Sequence, residues 1–136
     1  MIIEQVLAEH DICATVITNE FEFIGEVATG KWDKSISIRT APDKQNEINR
    51  IREQHPNHCV VYVGDSTTDL LALLGADVGV VIDQGSIIAK LNKLSIDYEQ
   101  ELPKVTSFHH AYADTTRQQP TLYMANWLQI TESLFS

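Results

Sequence analysis

The stretch Val60-Val61-Tyr62-Val63-Gly64-Asp65-Ser66-Thr67-Thr68-Asp69-Leu70-Leu71 constrains this chain more than any other, because an apolar run without alternation leads straight into a leucine-rich helical pattern. An unalternating run of this kind fits a strand covered on both faces, and Leu70, Leu71, Leu73 and Leu74 give the next helix an inward stripe. Two carboxylates, Asp65 and Asp69, stand at the junction. Open α/β sheets bind ligands in the crevice beyond the carboxyl ends of their strands, so this junction is the first place to expect a metal or phosphate site.

The rest of the chain fits an α/β fold. With 136 residues there is length for one core, and the sequence is 43% hydrophobic, well above the polar bias of disordered chains. A single domain over residues 1–136 is expected, with a recognisable core to residue 94, then a loop and a terminal helix. Nineteen acidic residues against ten basic ones leave a net charge of -9. That balance argues against nucleic acid and anionic membranes as partners, since both need a positive footprint. The apolar runs are of strand length and the first residues do not form a secretory leader, so a cytoplasmic chain is expected. Cys13 and Cys59 lack metal or disulfide spacing and read as reduced core thiols in or beside buried strands.

Ile2, Ile3, Val6 and Leu7 have helical spacing from the start, with no capping residue before them. Cys13 to Thr18 reads as a strand. Phe21 and Phe23 alternate with Glu20 and Glu22, and Gly25 and Gly30 then punctuate a hairpin. Residues 36–39 offer a short further strand. Thr40-Ala41-Pro42-Asp43 has the form of a helix start, and that helix runs to about His55. Strands at Cys59 to Val63 and Asp77 to Ile82, joined by a helix from Ser66 to Leu74, make one right-handed βαβ unit. A helix from Ser86 to Leu94, capped by Gly85 or Ser86, precedes a long loop at residues 103–120. Thr121 to Ala125 reads as a last strand, and Asn126 caps a terminal helix whose packing face is Trp127 and the leucines around it.

Asp65 follows a buried strand directly and serves no capping motif, which favours a functional role. Asp69 is open to two readings. With Ser66 it forms a capping box, and acids in a first turn are favoured by the helix dipole whether or not they bind a ligand. Placed four residues after Asp65, it also faces the same end of the sheet, where one or two carboxylates suffice for magnesium. Lys44 shares a helical stripe with Ile48, Ile51 and His55, so it points inward as a phosphate-binding cation, unless its stem snorkels to the surface. His109-His110 are adjacent loop residues without a third ligand nearby in sequence, and read as solvated. Tyr62, Trp32 and Phe108 carry no chemical signal of their own.

Gly64-Asp65-Ser66-Thr67-Thr68-Asp69, a lysine some twenty residues earlier, and the segment Thr18-Asn19-Glu20-Phe21-Glu22-Phe23 ending in Thr29-Gly30 together resemble the haloacid dehalogenase (HAD) superfamily. The likeness is to its phosphoserine-phosphatase-like branch. Within that branch, Asn19-Glu20-Phe21 and Gly64-Asp65-Ser66 are similar to phosphatase domains of plants and fungi linked to thiamine metabolism. It extends from roughly Met1 to Leu91. The resemblance implies an incomplete Rossmann-like (HAD-type) parallel sheet flanked by helices, with the first strand and the cap missing. It also implies a Mg2+ cofactor held by Asp65 and Asp69, with Asp69 supporting the metal shell or Lys44. Lys44 would be a catalytic residue that neutralises the phosphate, and Asn19 would sit beside the phosphate pocket.

The family's two-step hydrolysis of phosphomonoesters begins at an Asp-x-Asp motif, and no two aspartates here are separated by one residue. The resemblance therefore implies the C-terminal portion of a Mg2+-dependent phosphatase acting on small phosphorylated metabolites, inactive alone for want of a nucleophile. Its partner would be a complementary N-terminal half. A different reading is a non-catalytic binding or regulatory half-domain that pairs with another chain, or with itself, through an exposed sheet edge. A third is an ester hydrolase of the Gly-Asp-Ser type using Ser66. That chemistry needs a late Asp-x-x-His, and no aspartate after Asp65 has a histidine three residues on.

Overall fold

A computed structural model describes residues 2–32, 38, 40–82, 86–104 and 121–135, which divide into two compact units, 1–39 and 40–136. In the first unit, helix α1 (Ile2–Glu9) ends where Asp11 enters the left-handed region with φ 53°, while the amide of Ile12 returns to the Leu7 carbonyl at 2.8 Å. The hairpin of β1 (Phe21–Ile24) and β2 (Val27–Trp32) follows, as the alternation and glycines indicate. Gly25 supplies the positive φ, 62°, that the tight turn demands.

Residues 13–18 form no strand. They are β-branched and apolar, but strand propensity expresses itself only against pairing and packing neighbours, and none pairs with them among the described residues. Cys13 is accordingly exposed rather than a core thiol, and both cysteines are free. The proposed strand at 36–39 apart from Ile38, the possible cap Gly85, His109-His110, Phe108 and the loop at 105–120 lie outside the described residues.

The second unit is α/β, a partial Rossmann-like parallel sheet flanked by helices. Its elements are α2 (Ala41–Gln54), β3 (Val61–Gly64), a single 3-10 turn (Thr67–Asp69), α3 (Leu70–Gly75), β4 (Val78–Ile82), α4 (Ile87–Leu94), β5 (Thr121–Ala125) and α5 (Trp127–Leu134). The sheet order is β3-β4-β5, all parallel, with Val63 opposite Val80 and Val80 opposite Tyr123. Beyond β5 the chain returns to the sheet at Glu99, whose amide donates to the Leu122 carbonyl at 2.8 Å and whose carbonyl accepts from the Met124 amide at 2.7 Å.

Alternation along the strands sorts the core into two faces. Val78, Val80, Tyr123 and Ala125 meet Ile130 of α5 on one side, and Val81 and Leu122 meet Leu73, Ile87 and Leu91 of α3 and α4 on the other. Six residues of this core, Leu73, Ile87, Leu91, Val78, Val80 and Val81, are sealed from solvent. Ile48 of α2 packs on Ala72 and Ala76 of α3. Gly79 is required where β4 passes under α3, because a Cβ there would stand 2.4 Å from Leu122 Cδ2 and 2.8 Å from the Leu73 carbonyl oxygen.

The terminal helix departs from the expected packing face. Ile130 and Ser133 are its buried residues, whereas Trp127, Leu128 and Phe135 are 64%, 67% and 81% exposed. The capping box that starts the helix is formed, with Asn126 and Gln129 exchanging hydrogen bonds at 2.8 and 2.9 Å. A cap therefore located the helix correctly, while the side that packs was decided by the sheet beneath it. None of the described helices is long and apolar enough to cross a membrane.

Candidate functional site

Gly64 ends β3, and the chain then turns through Asp65 and Ser66 into the 3-10 turn that carries Asp69 at its last position. Asp69 folds back beneath the strand end and is only 4% exposed. It lies so close that a Cβ at Gly64 would meet Asp69 Cβ at 2.7 Å. A glycine is needed there for approach, not for its backbone angles.

The Asp69 carboxylate accepts five hydrogen bonds. Oδ1 receives the Lys44 ammonium at 2.6 Å and the Tyr62 hydroxyl at 2.8 Å. Oδ2 receives the Asp65 amide at 3.2 Å, the Ser66 amide at 2.9 Å and the Ser66 hydroxyl at 2.8 Å. Burial by itself would push this carboxyl's pKa up. The donors outweigh it, Lys44 first and then Ser66 and Tyr62, and hold the pKa at about 2. Asp69 is therefore ionised at any physiological pH. Burial and the same carboxylate together push the Tyr62 phenol upward, so the hydroxyl keeps its proton and donates it.

Lys44 reaches the site from the first turns of α2, whose Thr40 cap exchanges hydrogen bonds with Asp43 and whose Pro42 stands in the first turn. The side chain is 26% exposed, and its ammonium also donates to Thr68 Oγ1 at 3.2 Å. The stripe shared with Ile48 thus directs it inward, and its tip stays within reach of solvent. Asp65 is exposed, and its carboxylate has no hydrogen-bond or ion-pair partner among the described residues.

A cleft of about 450 Å³ joins these groups at the C-terminal end of the sheet. Its lining combines Lys44, Asp65 and Asp69 with the apolar side chains of Ile82, Trp127 and Phe135. Such a mixture of a few convergent polar groups with an apolar wall is the usual make-up of a small-molecule site. Asn19 lies in the other unit, where its amide clamps Ile38, accepting from its N–H and donating to its carbonyl, both at 2.9 Å.

Magnesium is tested by the donor set. Asp65 offers a free, exposed carboxylate of the kind that binds Mg2+ alongside water and phosphate oxygens. Asp69 already has both oxygens engaged. Among the described residues no group of three or more His, Cys, Asp or Glu side chains gathers as a metal site. The arrangement fits a cation carried on one carboxylate and completed by its ligand, not an all-protein cage.

Two participants escaped the sequence reading. Tyr62 looked like a core strand residue, but it precedes Gly64 by two and so shares its face of the sheet, the face beneath which Asp69 folds. Thr68, which stands in the Gly64–Asp69 motif without an assigned role, accepts from the Lys44 ammonium. The Ser66 hydroxyl, a nucleophile in the ester-hydrolase reading, lies 2.8 Å from Thr68 Oγ1 and donates to Asp69, and no histidine bonds to it among the described residues.

No protein-family model matches this sequence, and no solved structure matches it. The chain is similar to the bifunctional TH2 protein, mitochondrial, of Arabidopsis thaliana, at 30% identity over 82 residues. That match covers 56% of this chain and 13% of the plant protein, so the chain spans a small part of its relative's length.

Proposed function

We propose that this chain is the metal- and phosphate-holding portion of a HAD-like, Mg2+-dependent phosphatase acting on phosphomonoesters of small metabolites. One observation carries the reading: Lys44, Asp65 and Asp69, brought together from two helical segments and a strand end, share a single cleft at the carboxyl edge of a parallel sheet. The similarity to the TH2 protein fits the resemblance to thiamine-linked phosphatase domains.

In this reading Asp65 binds Mg2+, which when present shields the charge on the transferring phosphoryl group. Lys44 turns its ammonium toward the phosphate oxygens. Asp69, fully ionised, holds Lys44 at the cleft and pins the Asp65 amide, so that both groups are within reach when a ligand arrives. The sequence contains no Asp-x-Asp, so the attacking carboxylate comes from another polypeptide segment, and the chain alone binds without turnover. A cytoplasmic setting and a partner bearing that segment belong to the same proposal.

Isothermal titration of the chain with orthophosphate, with and without Mg2+, tests it. Binding should require Mg2+ and weaken about tenfold or more in Asp65→Asn and in Lys44→Met, the loss of one charge-assisted contact each. Phosphate binding that is absent, or indifferent to both substitutions, refutes the reading.

A second reading, a binding half-domain that pairs with another chain, is favoured by the outer edge of β3. Among the described residues β3 pairs only with β4, while the opposite edge of the sheet is occupied by Glu99. The strand Val61–Gly64 also carries neither a charge nor a proline to discourage a further strand. Amide hydrogen exchange separates the two. Protection of the β3 amides facing away from β4 that appears only with a partner polypeptide supports pairing, and protection of those amides without any partner refutes it.

A further inference from the structure

Tyr62 has no part in binding phosphate or metal as described so far, yet its hydroxyl donates to the same oxygen of Asp69 as Lys44 does. The two oxygens of a carboxylate offer about four lone-pair directions, and Asp69 meets five donors. Three of these donors meet Oδ2, and of the two that fill Oδ1, Lys44 is the one free to leave. It sits on a flexible stem with its tip partly in solvent, whereas the Tyr62 ring is packed against both the Leu73-Val81 cluster and the Ile48-Ala72 cluster.

We propose that Tyr62 is a positioning residue that makes Lys44 releasable, by keeping Asp69 Oδ1 hydrogen-bonded while the ammonium swings to an incoming phosphate. This rests on the reading that Lys44 receives the phosphate. Without the phenol, departure of Lys44 strips Oδ1 of its last donor, and a buried charged oxygen left bare pulls the ammonium back. Tyr62 thus acts on phosphate affinity through Lys44, without touching the phosphate.

Two measurements test it. Orthophosphate is titrated, with Mg2+ present, into the unaltered chain, Tyr62→Phe, and a chain with p-aminophenylalanine at position 62, which restores a donor at the ring's far end. The expected result is about tenfold weaker phosphate binding in Tyr62→Phe, recovery with the amino analogue, and Mg2+ affinity unchanged throughout, since Asp65 is untouched. A purely structural role would weaken Mg2+ and phosphate together. Failure of the unaltered chain to bind orthophosphate overturns both this proposal and the reading beneath it. Equal binding by the unaltered chain and Tyr62→Phe, or no recovery with the analogue, overturns this proposal alone.

The second measurement is a double-mutant cycle on thermal stability with Lys44→Met and Tyr62→Phe. Each single variant leaves Oδ1 one donor, and the double variant leaves it none. The double variant should therefore melt several degrees below the sum of the two single shifts. Additive shifts overturn the shared-oxygen argument.

Discussion

Gly64 and Asp69 are packed so tightly that a Cβ on the glycine would lie 2.7 Å from Asp69 Cβ and 2.8 Å from its Cγ. The last residue of β3 and the buried acid of the following turn are thus parts of one object. The Gly64→Ala substitution must displace Asp69, and with it the anchor of Lys44 and of the Asp65 amide. A loss of about 1–3 kcal/mol in folding stability is expected from the overpacking, accompanied by loss of Mg2+-dependent phosphate binding. Chemical denaturation and phosphate titration on the same preparation check this. Unchanged values for both would mean that Asp69 does not depend on the glycine.

The depressed pKa of Asp69 makes folding stability depend on pH in a defined window. The carboxyl titrates at about 2 in the folded chain against 3.8 in its ordinary setting. Its contribution is therefore fully present above about pH 4, and it is lost as the pH falls toward 2. The gain at neutral pH is on the order of 2 kcal/mol. Urea unfolding between pH 5 and pH 2 should show a steeper decline for the unaltered chain than for Asp69→Asn. Parallel declines would remove Asp69 as the source.

Thr40 couples helix stability to the site, because the turn that it caps carries Lys44. Thr40→Ala removes the oxygen that accepts from the Asp43 amide and the hydroxyl that donates to Asp43 Oδ2 at 2.8 Å. A cost of about 1 kcal/mol is expected, with a weaker grip on phosphate. Circular dichroism melting and titration together read it out, and a melting point unchanged from that of the unaltered chain would contradict the cap.

Gly79 tests the packing of the sheet rather than the chemistry. The Gly79→Ala substitution drives a methyl group into Leu122 and the backbone of Leu73, and a backbone oxygen cannot rotate away. The variant should lose at least about 2 kcal/mol or fail to fold. Denaturant unfolding measures this, and a variant as stable as the unaltered chain would rule the contact out.

Much of the second unit was legible from local rules. The unalternating run at Val60 to Val63 and the leucines after Asp69 specify a strand and helix whose partners are apolar on every side, so any covered parallel sheet serves them. The boxes at Thr40 and Asn126 are closed by residues three apart, which makes them readable without tertiary knowledge. The segment at Cys13 to Thr18 shows where such rules end. Its composition matches a strand, but hydrogen bonds to a neighbour make a strand, and composition does not supply the neighbour.

By itself, the order of residues determined that a carboxylate would follow a buried strand, that a lysine would lie on the inward stripe of a capped helix, and that an acid would stand in the next turn. These are short-range consequences of periodicity and capping. Only the tertiary structure decided that the turn acid is buried, that Tyr62 and Lys44 share one of its oxygens, and that Asp65, of the two acids, keeps the open carboxylate. The reason is physical. Which lone pair a donor reaches depends on the packing of α2 against α3 and on the close approach of Asp69 to Gly64, and separations of 25 and 7 residues along the chain leave no periodic trace of either hydrogen bond.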